Sequence, residues 1–213
     1  MVSRMSAPPA NTRAPSERHR FDATRLSEWM QSQKLTPSGP LTVRQFRGGQ
    51  SNPTFWVSDG DKGLVLRKKP PGKLLPSAHA VDREHRVLSA LAATEVPVAQ
   101  VYAYCGDPDV IGTPFYLMEH VEGRIFWNVQ LPEVAEPAER SAIYDEAIRV
   151  LAAIHSVDLE ATGLSDFGPA GGYVERQIRR WSGQYRKSET HTCLLYTSPS
   201  PRDATLSRMP SSA

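Results

Sequence analysis

The sequence has few cysteines, almost no net charge and no long hydrophobic run. Its two cysteines, Cys105 and Cys193, are not in a metal-ligand spacing, which argues against a disulfide framework and a structural zinc site. The 25 basic and 23 acidic residues nearly cancel, so the charge pattern indicates neither a nucleic-acid-binding face nor a basic membrane patch. Because no apolar run approaches the length of a membrane span, we expect a cytoplasmic protein that binds neither nucleic acid nor membrane.

Both ends of the chain lack a periodic hydrophobic pattern. Residues 1–20 are rich in arginine, contain no apolar stretch of a secretory signal and are interrupted by prolines, which predicts a disordered N-terminal tail. At the other end, 10 of the 17 residues from Thr197 to Ala213 are Ser, Thr or Pro. The stretch CLLYTSPSPRDATLSRMPSSA resembles a translated sequencing adapter. We therefore predict that residues 191–213 are a disordered, non-native tail.

Between these ends, the hydrophobic periods predict an α+β protein. Asp22 is a suitable N-cap for a first helix. Gly-rich or Asp-Gly turns separate the next three strand-like runs, which predicts an antiparallel meander. The predicted strands are 41–46, 54–58, 64–69, 98–104 and 115–121, and the later helices are 80–93, a long one from Pro137 and 173–186. A five-stranded antiparallel sheet with one helix inserted after its third strand is typical of the small lobe of a kinase.

The third strand, GLVLRKK, combines an apolar and a cationic side chain on one face. Because side chains alternate along a strand, Val65 and Arg67 point to the same side. An apolar residue that lines adenine beside a cation that reaches the phosphates is the pattern of a nucleotide site. By itself the pattern is weak, since a basic residue at the end of a strand is usually solvated.

The helix after this strand, VDREHRVLSALAA, carries a carboxylate where apolar residues are expected. Glu84 follows Val81 by three positions and precedes Leu88 by four, so it falls near the centre of the apolar face. A carboxylate at that place is costly unless it meets a cation. We predict an ion pair between Glu84 and Arg67; the alternative is that Glu84 extends into solvent.

Five motifs in this order resemble the aminoglycoside-phosphotransferase family: QFRGGQSNPTF, LVLRKKPPG, REHRVLSAL, GTPFYLMEHVEGR and LAAIHSVD. The subgroup with the greatest similarity is related to the kinase domain fused to some acyl-CoA dehydrogenases. The resemblance runs from about Phe21 to Thr190. It implies a protein-kinase-like fold that transfers the γ-phosphoryl group of ATP to a hydroxyl, with a small nucleotide-binding lobe over 21–122 and the start of a helical large lobe over 123–190.

The resemblance also implies roles for individual residues. Arg67 is the phosphate-binding cation, where protein kinases have lysine, and Glu84 is its partner. Val65 lines the adenine and Met118 is the gatekeeper, while Glu119 and Val121 offer adenine a backbone carbonyl and amide. The loop over the phosphates consists of Gly48, Gly49, Gln50, Ser51 and Asn52.

Phosphoryl transfer also needs an Asp that orients the acceptor hydroxyl, an Asn shortly after it and an acid on Mg²⁺. The only asparagines are Asn11, Asn52 and Asn128, so no asparagine follows HSVD at 155–158 and it does not match a catalytic loop. DFG at 166–168 resembles the metal-binding motif of kinases, but that motif must follow the catalytic loop, and here DFG follows only a helix. We therefore predict no catalytic or metal-binding residues here. The chain is interpreted as a truncated, inactive copy of an ATP-dependent phosphotransferase. The alternative is a non-catalytic nucleotide-binding or scaffolding pseudokinase module.

The sequence does not determine which molecule accepts the phosphoryl group. In the family that these motifs resemble, acceptor contacts come mostly from the large lobe. Hydroxyacyl-CoA, aminoglycosides and other alcohols are all compatible, and the subgroup favours hydroxyacyl-CoA. The expected cofactors are ATP and, for a full-length enzyme, Mg²⁺. The subgroup also implies an acyl-CoA dehydrogenase-like partner.

Overall fold

A computed structural model describes residues 7–48, 52–72, 79–168 and 171–188. The chain divides into two compact units, Met1–Asp166 and Phe167–Ala213. The second unit contributes one described helix, and the predicted tail at 191–213 lies outside the described residues. Within the described ranges, every helix is too short or too polar to traverse a lipid bilayer.

The first unit is built on a six-stranded antiparallel sheet. The strands lie in the order β1-β2-β3-β4-β6-β5. They are β1 Thr12–Arg13, β2 Thr42–Phe46, β3 Thr54–Ser58, β4 Gly63–Lys68, β5 Val101–Cys105 and β6 Phe115–Glu119. The helices of both units are α1 Ala23–Ser32, α2 Val81–Leu91, α3 Pro108–Ile111, α4 Pro137–His155 and α5 Tyr173–Ser188. The predicted meander, the helix inserted after it and the two later strands are confirmed as β2–β4, α2, β5 and β6.

The hydrophobic core lies on one face of this sheet, beneath α1. The helix begins where predicted, because the Asp22 carboxylate accepts the backbone N–H of Thr24 at 2.8 Å. Leu26 and Met30 of α1 are buried against the sheet. The strand residues of the same cluster are Phe55, Val57, Leu66, Cys105, Phe115 and Leu117. Because Leu66 faces this core, its neighbours Val65 and Arg67 face the other side of β4.

The N-terminal segment is not the disordered tail that the sequence predicted. Within residues 7–20 the chain forms β1, which pairs with β2 through Thr12↔Phe46 and Arg13↔Gln45, and a short 3₁₀ helix, Glu17–His19. Thr12 is buried, and the Gln45 side chain accepts the backbone N–H of Ser16 at 3.1 Å. The prolines do prevent a long helix here, but they are compatible with an extended edge strand. The sheet therefore has six strands rather than five.

A lysine is buried in this core at the end of β4. Lys68 shares a face with Leu64 and Leu66 and is 2% exposed. Its Nζ lies 5.1 Å from the centre of the Phe21 ring and 5.9 Å from that of Phe55. The rings favour the ammonium form by up to ~2 kcal/mol, but removing the charge from water costs several kcal/mol. Burial thus lowers the pKa of Lys68 to about 8.

This burial predicts a pH dependence of stability. The pKa of Lys68 is about 8 in the folded protein against 10.5 for the free side chain. Between these values the unfolded chain keeps a proton that the folded protein has lost, so the free energy of unfolding rises with pH. Between pH 8 and pH 10.5, we expect the free energy of unfolding of the wild type to rise by up to about 3 kcal/mol more than that of Lys68→Met. Urea denaturation at several pH values measures the free energy of unfolding, and Lys69→Met serves as the neighbouring control. If the free energy of unfolding changes equally with pH in the wild type and in Lys68→Met, the prediction is refuted.

Candidate nucleotide-binding site

The predicted ion pair joins β4 to α2. The Nε of Arg67 donates to Oε2 of Glu84 at 2.6 Å, and Nη2 lies 3.4 Å from Oε1. Both side chains are about one-third exposed, at 31% and 33%. The helical phase that placed Glu84 beside Val81 is therefore correct, since Val81 is fully buried on the same face. The pair fixes the Arg67 guanidinium on the face of β4 that is opposite the core.

Other polar side chains hold this ion pair in place. The Asn52 amide donates to Oε1 of Glu84 at 2.7 Å, and the Tyr116 hydroxyl donates to Oε2 at 3.1 Å. Nη1 of Arg67 also donates to the Thr54 hydroxyl at 3.2 Å. With three donor residues around it, the Glu84 carboxylate is held in one orientation. Burial, followed by the charge of Glu84, raises the pKa of the Tyr116 hydroxyl well above its usual value, so Tyr116 remains a donor at neutral pH.

A second layer of this network reaches the segment that leads into α2. Nδ1 of His79 lies 2.9 Å from the carbonyl oxygen of the Asn52 side chain. Because that oxygen is an acceptor, the contact requires the ring proton on Nδ1. Asn52 thus bridges His79 and Glu84, and it connects the end of the predicted phosphate loop to the start of α2.

Beside this network lies a cavity of about 740 Å³, a size that accommodates a small-molecule ligand. Four residues predicted from the sequence line it: Val65, Met118, Glu119 and Val121. Thr54, the hydrogen-bond partner of Arg67, also lines it. The remaining lining residues are Pro9, Ala10, Asn11, Phe46, Ala99, His120, Glu122, Gly123, Arg124 and Ile125.

The segment after β6 provides backbone groups at the cavity. The Glu119 N–H is already bonded to the Gln100 carbonyl at 2.8 Å. By contrast, the Val121 N–H has no hydrogen-bond acceptor among the residues that the structure describes. Val121 is 62% exposed and lines the cavity. A free amide at this place can donate to a ring nitrogen of a bound base.

The predicted phosphate loop is described only at its ends. Gly48 has φ +95°, and a Cβ there would meet no atom within 4 Å. The backbone conformation rather than a lack of space therefore favours glycine at this position. Gly49, Gln50 and Ser51 lie outside the described residues. Asn52 is described, and its side chain binds Glu84, a contact that the sequence did not predict.

Sequence reasoning missed several residues of the site. Tyr116 pairs directly with Arg67 across β4 and β6, so strand register was the signal that could have identified it. Phe46 and His120 approach each other at the cavity, with ring centres 6.2 Å apart. No sequence pattern links these two residues, because Phe46 is in β2 and His120 follows β6, and they meet only in the folded protein.

The two motifs that imitate a catalytic loop have structural roles. His155 is the last residue of α4, where a partial positive charge on the ring is favourable. Oδ1 of Asp158 accepts the backbone N–H groups of Glu160 and Ala161 at 2.8 and 3.0 Å. Asp166 forms an exposed ion pair with Arg86, and the Arg86 hydrogen bond lowers the pKa of Asp166. Within the described ranges, no cluster of three or more His, Cys, Asp or Glu side chains could hold a metal ion.

Comparison with known proteins decides the family. The profile of the phosphotransferase enzyme family, APH, matches residues 42–201. The chain belongs to this family. The resemblance seen in the sequence is thus confirmed. The matched range includes residues 191–201, which fall within the predicted tail.

A solved structure supports the same assignment at the level of the fold. A crystal structure named as that of a "putative aminoglycoside phosphotransferase" from Ralstonia eutropha is 50% identical, with a TM-score of 0.67. The alignment covers 81% of this chain and 50% of that one. The α+β, kinase-like fold expected from the sequence is therefore correct.

Curated relatives of this phosphotransferase-family chain are acyl-CoA dehydrogenase family members. Mouse family member 10 is 52% identical over 153 residues, which are 72% of this chain and 14% of that protein. Chicken family member 11 is 50% identical over 171 residues, or 78% of this chain and 22% of that protein. The chain thus spans about a fifth or less of the length of these relatives.

Proposed function

We propose that this chain is the nucleotide-binding part of an ATP-dependent small-molecule kinase that phosphorylates an alcohol group. The observation that carries the proposal is the Arg67–Glu84 ion pair beside the cavity. Glu84 holds Arg67 through two of its nitrogens. This arrangement keeps a permanent positive charge where the phosphates of a nucleotide need it.

The cavity supports adenine as the base. Val65 and Met118 give it an apolar wall, and Val121 gives it a backbone donor. Residues 48–52 form the phosphate loop in this proposal, and ATP is the nucleotide. Residues 21–122 are then the small lobe, and 123–190 begin the helical large lobe.

The relatives suggest the acceptor and a partner. Two relatives carry acyl-CoA dehydrogenase in their names, and this chain matches only a fraction of each. We therefore propose a hydroxyacyl-CoA as the acceptor and an acyl-CoA dehydrogenase domain as the partner. In a kinase that contains the remaining catalytic residues, Mg²⁺ would neutralise charge on the phosphates.

A non-catalytic nucleotide-binding module is the second candidate. Its support is the use of both candidate aspartates in other contacts: Asp158 holds backbone N–H groups and Asp166 holds Arg86. The sequence also has no asparagine after Asn128. Both candidates share the nucleotide site, and they differ in whether phosphate is transferred.

Nucleotide binding is tested by replacing the cation. We expect Arg67→Ala to weaken ATP binding about tenfold or more, because a charge-assisted contact to phosphate is worth about 1.5–3 kcal/mol. Arg67→Lys keeps the charge but loses the two-pronged contact with Glu84, so its affinity should lie between the two. Isothermal titration calorimetry with ATP measures all three proteins.

The matched control is Lys62→Ala, which removes an exposed cation just before the other end of β4. It should leave ATP affinity unchanged. Equal losses in Arg67→Ala and Lys62→Ala would mean that only net charge matters, and the absence of ATP binding by the wild type would refute the proposed site.

A further inference from the structure

The N-terminal segment lines the same cavity as the segment after β6. Pro9, Ala10 and Asn11 line the cavity together with Phe46 of β2 and the 118–125 segment. These residues precede β1, in the part of the chain that the sequence predicted to be disordered. Their contribution follows from the added strand, since β1 lies next to β2 at the edge of the sheet.

Several hydrogen bonds fix this segment to β2. The Arg47 N–H donates to the Asn11 carbonyl at 2.8 Å. Within the segment, the buried Thr12 donates its hydroxyl to the Pro9 carbonyl at 2.6 Å, and the Gln45 side chain of β2 accepts the Ser16 N–H at 3.1 Å. The bonds therefore hold residues 9–16 against the end of β2, which leads directly into the predicted phosphate loop.

We propose that residues 9–11 form a wall of the nucleotide pocket and contact the nucleoside end of the ligand. The proposal rests on the proposed function and assigns this segment a role in it. Met118 of β6 and Val121 after it line the cavity, but Arg67 does not, so the part of the ligand next to residues 9–11 is the base and ribose rather than the phosphates. Pro9 and Ala10 offer apolar contact, and Asn11 carries the one polar side chain of the wall.

Thiol protection tests the wall without removing any of it. Ala10→Cys and Ala14→Cys are made in a Cys193→Ser background; Cys105 is buried, and both alanines are exposed. ATP should slow modification of Cys at position 10 about fivefold or more when bound at saturation, because the nucleoside covers it. Inorganic tripolyphosphate should not slow it, and Cys at position 14, outside the cavity, should react equally fast under all conditions.

Deletion tests the energetic contribution of the wall. Removal of residues 2–11 should reduce the preference for ATP over tripolyphosphate about fivefold, the effect of losing about 40 Å² of apolar contact. Removal of residues 2–6 alone, which stops short of the wall, should leave this preference unchanged. For each protein, the preference is the ratio of the dissociation constants of tripolyphosphate and ATP, both measured by calorimetry. Thermal melting checks that each deletion variant folds.

The outcomes separate the two proposals. Suppose that the wild type binds ATP, that ATP does not slow thiol modification of Ala10→Cys, and that the 2–11 deletion keeps its preference for ATP over tripolyphosphate. The proposal that residues 9–11 form a wall is then refuted, while the proposed nucleotide site is retained. If the deletion fails to fold, the protection result alone decides. If the wild type does not bind ATP, the proposed function is wrong and the wall is wrong with it.

Discussion

Incubated with ATP, Mg²⁺ and a panel of alcohols, the 213-residue chain is expected to transfer no detectable phosphate. Binding alone does not lower a barrier, because the protein must stabilise charge that develops in the transition state. In kinases, Mg²⁺ and its ligands do this while an aspartate orients the hydroxyl. Here Asp158 is engaged by backbone N–H groups and Asp166 by Arg86. Against typical kinase turnover of about 1–100 s⁻¹, we expect a rate at least about a thousandfold lower.

Labelled ATP measures this directly. Transfer to an alcohol and hydrolysis to phosphate are followed separately, with a known alcohol kinase as the positive control. The same samples are examined by calorimetry, because the expected result is binding without transfer. Turnover that disappears in Asp158→Ala or Asp166→Ala would show that one of these motifs is a true catalytic element. Turnover that survives both substitutions would place catalysis elsewhere in the chain.

The apolar stripe of α4 that includes Ile148, Leu151 and Ile154 is expected to bind a hydrophobic dye and to promote self-association. Ile148, Leu151 and Ile154 are 64%, 52% and 46% exposed, and no residue of this helix is buried. Contiguous exposed apolar surface of this kind favours association. Dye fluorescence and light scattering should therefore both increase with protein concentration.

Paired glutamate substitutions test this face. Ile148→Glu combined with Leu151→Glu should remove most of the dye signal and change the free energy of unfolding by less than about 0.5 kcal/mol, since both side chains are exposed. Leu66→Glu is the contrasting variant: Leu66 is fully buried, so a charge there should cost more than about 4 kcal/mol. A monodisperse wild type without dye fluorescence would contradict the prediction, as would an unstable α4 variant.

Periodicity was sufficient for much of the sheet and for α2. Alternation along β4 assigned Val65 and Arg67 to one face and Leu66 to the other, and the structure agrees. One carboxylate within the apolar face of α2 was enough to predict the contact with Arg67, because few arrangements satisfy a partly buried charge. Lys68 could have been predicted in the same way, since it shares the face of Leu66.

Other contacts between residues that are far apart in the chain leave no periodic pattern in the sequence, so they were not predicted. β1 is only two residues long and pairs through its backbone, which almost any residue other than proline can do. Asn52 was assigned to the phosphate loop from its position, but its partners come from α2 and the residue at 79. Strand limits also shifted: the run predicted at 98–104 is Val101–Cys105, because strand ends depend on where the partner stops.

The position of β6 in the sheet has a consequence for the order of folding. β2, β3 and β4 are neighbours in both sequence and space, so they can pair early through short turns. β6 must instead close a long loop that contains α2 and β5 before Leu64 can pair with Glu119. Val65 comes from the early meander and Met118 from the late strand. The pocket between them therefore does not exist in a partly folded chain, and a ligand of this pocket can bind only to molecules in which β6 has already docked.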